Sequence, residues 1–159
     1  LPAPQGCSVL VDYAHNGVSL RAVLMTLRPY TQGRLICLVG SVGGRTQMRR
    51  ADLGDAAAQY ADLTVLTADN PDFEDPEVVI KDIETQFDDN SSYVKIADRK
   101  KAIEYALGNS QQGDIILLAG KGHESFQLIN GVRVMFSERE LIKKYKEVIP
   151  AVIPSAVKE

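Results

Sequence analysis

Residues Asp114 to Glu124 read DIILLAGKGHE, and the fold turns on how that stretch is parsed. Its apolar run, Ile115 to Ala119, does not alternate with polar residues and stops abruptly at Gly120-Lys121-Gly122-His123-Glu124. A strand covered on both faces needs such a continuous run, and strands of that kind belong to parallel sheets. In open α/β sheets, ligands bind outside the carboxyl ends of the strands. The stretch therefore reads as a buried strand with chemistry at its end.

The same pattern recurs upstream. Val9 to Val11 runs into Asp12-Tyr13-Ala14-His15, where Asn16-Gly17 reads as the turn that stops the strand. Leu35 to Val39 closes on Gly40-Ser41-Val42-Gly43-Gly44-Arg45, and Leu63 to Leu66 on Thr67-Ala68-Asp69-Asn70-Pro71-Asp72. Tyr93 to Ile96 is a weaker, edge-like strand. Between these runs, apolar residues fall at helical spacing: Leu20, Val23, Leu24 and Leu27 before Pro29, then Leu53, Ala56, Ala57 and Tyr60. Asp75-Pro76 starts a helix carrying Val79, Ile83 and Phe87, and Asp98 caps one carrying Ile103, Ala106 and Leu107. Past the central strand, Leu128 to Val134 reads as a hairpin around Asn130-Gly131, and Ser137 to Glu140 as a capping box before a last helix. Strands alternating with helices predict an α/β fold with a mainly parallel sheet, helices on both faces and a C-terminal β-hairpin.

Composition narrows the function. The 159 residues, 45% of them hydrophobic, suffice for one domain with its own core. A net charge of -3 provides no basic field for a phosphate backbone, so no nucleic-acid partner is expected. No apolar run reaches the roughly 18 to 20 residues that cross a bilayer, so no membrane partner is expected and a cytoplasmic location is. Cys7 and Cys37 sit in or beside apolar runs and read as buried thiols. The chain opens on Leu1 without Met and with linker-like prolines, so it is expected to be a fragment; residues 151–159, beyond Pro150, are expected to form a loose tail.

Four of the five strands end in polar constellations, and in a parallel sheet those ends share one edge. Asp, Asn and Gly are also what ordinary turns need, so each alone is weak evidence; four together indicate a site. Both histidines, His15 and His123, lie on this edge. Their separation from each other and from nearby carboxylates fits no metal-ligand spacing, so no metal site is expected. Neither Gly40-x-x-Gly43-Gly44 nor Gly120-Lys121-Gly122 matches a dinucleotide fingerprint or a P-loop. Arg45, with Arg49 and Arg50 nearby, offers guanidinium forks for a carboxylate or phosphate. Asn70 and Asp72, held by Pro71, offer an amide and a carboxylate to a zwitterion such as an amino acid.

Asp12-Tyr13-Ala14-His15, Asp69-Asn70-Pro71 and Gly120-Lys121-Gly122-His123-Glu124, in this order, resemble the carboxyl-terminal domain of the Mur ligases. The similarity spans about Val9 to Tyr145 and is nearest to the MurE branch, which adds an amino acid to UDP-N-acetylmuramoyl-L-alanyl-D-glutamate. The resemblance implies a Rossmann-like three-layer domain over residues 1–150. In that family it follows a UDP-sugar-binding domain and a central ATPase domain, both absent from this sequence. It also implies an ATP- and Mg2+-dependent ligase of cell-wall peptidoglycan synthesis. There the acceptor's D-glutamate carboxylate is phosphorylated and the amine of a free amino acid attacks the acyl phosphate. By motif, Asp12 and His15 would lie at the nucleotide edge. Arg45, Asn70, Asp72, Gly120 and Glu124 would surround the amino acid, with Lys121 and His123 in the supporting loop. The central domain would bind most of the ATP, so the domain alone is expected to be inactive and to work against the missing domains of its parent.

The sequence departs from the family pattern at three places. Gly43-Gly44-Arg45-Thr46-Gln47 stands where members often read Gly-Gly-Asp-Arg-Asp-Lys, and Asn16-Gly17 replaces a common Thr-Pro. Asp72 stands where the meso-diaminopimelate enzymes resemble one another in having arginine. A carboxylate there repels the far carboxylate of meso-diaminopimelate, so L-lysine or L-ornithine is expected to be preferred. Two other readings of the same residues remain. One is a receiver-type signalling domain phosphorylated on Asp69, with Asp12 and Lys121 as its neighbours, although Ala97-Asp98 stands where such a domain expects Ser or Thr. The other is a free-standing small-molecule-binding module.

Overall fold

The computed structural model describes residue 1 and residues 3–148. The expected tail, residues 151–159, lies outside the described residues. Five strands, β1 (Ser8–Asp12), β2 (Leu35–Val39), β3 (Leu63–Leu66), β4 (Tyr93–Lys95) and β5 (Ile115–Ala119), form one sheet in the order β1-β5-β2-β3-β4. Every pairing is parallel. Register places Asp12 beside Ala119 and Val39 beside Leu66, so the strand ends finish level.

Alternate residues of the strands feed two cores. Leu35, Cys37, Val39, Leu117 and Ala119 pack under helices α1 (Gly17–Leu27), α2 (Gln47–Tyr60) and α3 (Pro76–Glu84). Ile36, Leu38, Ile116 and Leu118 pack under α4 (Arg99–Gly108) and α5 (Glu138–Val148). The three layers follow from apolar residues on both faces of β2 and β5, every one of which is buried. Cys7 and Cys37 are buried as expected, and burial pushes the Cys37 thiol up to about 12.

Caps place the helix starts, and one differs from expectation. Asp75 accepts from Glu77 N–H at 2.9 Å and Asp98 from Lys101 N–H at 3.0 Å, as the sequence suggested. Asn16, read as a turn residue, is instead the N-cap of α1, its Oδ1 accepting from Ser19 N–H at 2.9 Å. Turns and N-caps draw on the same residue types, which is why local sequence does not separate them. Only half of the expected capping box forms at α5: Ser137 Oγ accepts from Glu140 N–H at 3.3 Å, while the Glu140 carboxylate pairs with Lys143 at 3.1 Å.

The hairpin consists of β6 (Phe126–Ile129) and β7 (Val132–Met135), and it stands apart from the main sheet. Asn130 and Gly131 have φ of 49° and 75°, the positive values a two-residue hairpin turn needs. Asp72 clasps it: Asp72 N–H donates to Leu128 O, Asn130 N–H to Asp72 O, and Gly131 N–H to Asp72 Oδ1 at 2.7 Å.

Candidate functional site

The loops leaving β1, β2, β3 and β5 meet at the carboxyl edge of the sheet, and side chains 51 to 54 residues apart share hydrogen bonds there. Lys121 has no exposure at all, and its Nζ donates to Asn70 Oδ1 at 2.8 Å and Glu124 Oε2 at 3.1 Å, with Asp69 Oδ1 3.5 Å away. Asn70 Nδ2 donates to the same Glu124 oxygen at 3.1 Å, and Asn70 Oδ1 also accepts from Leu128 N–H at 3.1 Å. Both groups facing Oδ1 are donors only, so the amide can sit in one orientation. Beneath the ammonium lies the Phe126 ring, its centroid 5.7 Å from Nζ; the Arg133 guanidinium is 4.6 Å from the same centroid.

The pairing within this cluster is uneven. Among the directly paired groups, one ammonium faces two carboxylates, Asp69 and Glu124, while Arg133, across the Phe126 ring, and His123 lie outside that pairing. Burial pushes the Glu124 carboxyl up, but hydrogen bonds from Asn70 and Lys121 and the charges of Lys121 and His123 outweigh it. They hold Glu124 below its ordinary value. Glu124 is thus an anion, its Oε1 without a partner among the described residues, able to take a further cation. By motif Lys121 has only a supporting place; the structure ties it directly to Glu124.

Two glycines let the loops close. Gly43 N–H donates to Asn70 O at 2.9 Å, and a side chain at Gly43 would collide with the Pro71 carbonyl. Gly120 has φ of 109°, and a side chain there would meet the Asp69 carboxylate. The glycine loop after β2 is therefore packed on the Asn70-Pro71 loop. On the far side, Asp12 holds the β5 loop through its carbonyl, which accepts from Gly120 and Gly122 N–H, while its Oδ1 accepts from Ala14 N–H at 2.7 Å. Asp12 Oδ2 has no partner among the described residues. The half-exposed Tyr13 ring lies between the rings of His15 and His123, at 4.8 and 5.5 Å.

The three arginines separate. Arg50 is buried and committed to Glu74 and Asp82, the latter at 2.8 Å, so it is a tie between helices and not a clamp for ligand. Its hydrogen bond to Glu74 holds that carboxyl below the usual range. Arg45 is exposed and makes no ion pair among the described residues; with His15, Ser41, Arg49 and Asp69 it lines a small hollow. Arg49 rests on the His15 carbonyl at 3.4 Å. Asp72 is not the free carboxylate the sequence suggested, since its Oδ1 already binds the hairpin turn. It does line a cavity of about 600 Å3, whose lining also holds Glu74, Asp75, Asp98 and Arg99.

Two residues of the edge escaped sequence reading. Arg99 is fully buried, its Nε donating to Glu138 Oε1 at 2.7 Å and its two Nη atoms to the carbonyls of Ala68 and Ala119 at 3.1 and 2.9 Å. Neither Arg99 nor Glu138 stands out in sequence, because each opens a helix where charged residues are ordinary.

A parallel sheet whose strand ends gather a charged pocket is an α/β domain with its polar residues at the edge where such folds bind ligands. Residues 2–122 match the family model described as Mur ligase, glutamate ligase domain, and the chain belongs to the Mur ligase family. It is 43% identical over 137 residues to the UDP-N-acetylmuramoyl-L-alanyl-D-glutamate--2,6-diaminopimelate ligase of Caldanaerobacter subterraneus subsp. tengcongensis, covering 86% of this chain and 28% of that protein. The ligase of the same name from Aquifex aeolicus is 39% identical over 86% of this chain and 28% of its own length. A solved structure of a ligase of that name superimposes with a TM-score of 0.84 at 36% identity, covering 87% of this chain and 29% of the other. The chain thus spans under a third of the length of these relatives. The receiver-domain alternative falls with the family assignment, and Asp69, at 2% exposure, offers no open carboxylate for phosphorylation.

Proposed function

We propose that this chain is the amino-acid-binding, carboxyl-terminal domain of an ATP-dependent ligase of peptidoglycan synthesis. The parent enzyme joins an amino acid to UDP-N-acetylmuramoyl-L-alanyl-D-glutamate through an acyl phosphate. The observation that carries this reading is the Lys121-Asn70-Glu124 cluster, whose surplus of directly paired carboxylates suits the incoming ammonium. Arg45, exposed on the neighbouring loop, is the cation for its carboxylate. Asp12 Oδ2 and the Tyr13, His15 and His123 rings fit the rim of a nucleotide site. The packed glycine loop is no phosphate cradle, so ATP and Mg2+ belong mainly to a domain outside this chain. No helix among the described residues is long and apolar enough to cross a membrane, and we place the parent enzyme in the cytoplasm.

For the amino acid we propose L-lysine or L-ornithine. The cavity at Asp72 is lined by four acids, Asp72, Glu74, Asp75 and Asp98, against one cation, Arg99, which is paired with Glu138, and that excess favours a side chain ending in an amine. The relatives' names make 2,6-diaminopimelate the competing reading. The 159-residue chain alone is expected to release no ADP from ATP. Competition among the three amino acids in the parent ligase decides the choice, and incorporation of diaminopimelate ahead of both others would overturn it.

A further inference from the structure

Asn70 and Glu124 lie in the loops that follow β3 and β5, strands that are not neighbours. The sheet order places β2 between β3 and β5, so their ends start two strand spacings apart, roughly 9 to 10 Å. Yet the loops they carry converge until Asn70 Nδ2 and Glu124 Oε2 are 3.1 Å apart. Something must draw the two ends together across the end of β2.

Arg99 is placed to do so. It is the first residue of α4, which packs across β5, β2 and β3 on one face of the sheet. Its two Nη atoms hold the carbonyls of Ala68 and Ala119, the residues immediately before Asp69 and Gly120. The remaining donor, Nε, goes to Glu138 at the start of α5, which balances the charge. Only a planar fork with donors in several directions holds all three acceptors at once; an ammonium on a flexible stem pairs with Glu138 but does not bridge the carbonyls.

We propose that Arg99 is a positioning residue of the amino-acid pocket, setting the separation of Asn70 and Glu124 through the carbonyls of Ala68 and Ala119, its guanidinium committed to those two carbonyls and to Glu138. The proposal rests on the functional reading above. In the full-length parent ligase, Arg99→Lys should raise the KM for the amino acid roughly 10- to 100-fold, the scale of a misplacement of about 1 Å, with kcat and the KM for ATP within about twofold of wild type. Glu138→Gln, which keeps both carbonyl bonds, should lower the melting temperature yet leave both KM values unchanged, which separates positioning from stability. In an Asn70→Ala background, Arg99→Lys should add nothing to the amino-acid KM, because the pair it aligns is gone. A wild-type parent whose ADP release depends on no amino acid would overturn the functional reading itself. A working ligase in which Arg99→Lys raises both KM values alike, or in which its effect survives Asn70→Ala in full, would overturn the clamp alone.

Discussion

Strand β5 carries a charged cluster at each end, and the two are built differently. At its start, the buried Asp114 takes Arg34 N–H, Gln111 N–H and the Arg34 guanidinium, at 2.7 to 2.9 Å, one charge against one. At its finish, Lys121 faces two carboxylates and Glu124 keeps an oxygen without a partner among the described residues. The first arrangement is complete and only holds the chain together. The second has fewer directly paired cations than carboxylates, and on the proposed reading that deficit suits an ammonium. Buried charge stabilises poorly unless paired, so on the proposed reading the second cluster gives up stability for binding.

The largest expected effect comes from taking the cation out of the unbalanced end. Lys121→Met leaves Asp69 and Glu124 facing each other with Asn70 misdirected, and should cost about 3–5 kcal/mol in denaturant unfolding of the 159-residue chain. A loss under about 1 kcal/mol would mean that the cluster is solvated and the contrast between the two ends is false. At the balanced end, Asp114→Ala removes hydrogen bonds to a buried carboxylate but leaves Arg34 half exposed to water, and about 2–4 kcal/mol is expected.

Glu124 should behave in the opposite way. Glu124→Gln removes one of the two paired carboxylates and keeps an acceptor for Lys121, so the stability should stay within about 1 kcal/mol of wild type. In the parent ligase the same change should weaken the amino acid by about 1.5–3 kcal/mol, read as a rise in its KM but not in that for ATP. Acidification probes both ends together. Asp114 is pushed up by burial but held below its ordinary value overall by Arg34 and backbone N–H groups; Glu124 is likewise held low. A carboxyl lowered by folding adds stability above its unfolded pKa, and that stability is lost as pH falls through the folded value. Stability should therefore decline only below about pH 4, where free carboxyls ordinarily titrate. Asp114→Asn should flatten that acid limb more than Glu124→Gln, which urea melts across pH 2 to 6 would check, the gap reflecting side-chain exposures of 2% and 19%.

What was legible in sequence follows from range. Continuous apolar runs mark β2 and β5 as strands buried on both faces, and polar residues after each run mark the edge where ligands bind. The Asn130-Gly131 turn and the Asp75 and Asp98 caps are local, so they too could be read. Glu74 as partner of Arg50, Glu138 as partner of Arg99 and Asp69 as partner of Lys121 lie 24 to 52 residues away, and no periodicity announces a pairing at such distances. Arg50 was therefore grouped with Arg45 as a possible clamp, although burial and two acids occupy it. The second engagement of Asp72 could not be read for a different reason: its φ of 53° goes with a carboxylate that also binds the hairpin turn, and backbone conformation of that kind is invisible without the loop around it.

Asp72 also supplies the finest test, since there charge and structure can be separated. Its Oδ1 accepts from Gly131 N–H, and its positive φ is one that asparagine tolerates better than most residues. Asp72→Asn thus retains an acceptor for the hairpin turn and the backbone shape while removing only the charge. Stability should stay within about 0.5 kcal/mol of wild type, the range of a surface change that breaks no cap or core contact. The preference of the parent ligase should move toward diaminopimelate, because a carboxylate entering the cavity would no longer meet a like charge at Asp72. Glu74, Asp75 and Asp98 would still rim that cavity, so the shift should be partial, several-fold and short of reversal. An unchanged ratio of lysine to diaminopimelate incorporation, with stability intact, would remove Asp72 from the choice of amino acid and leave it as a clasp for the hairpin.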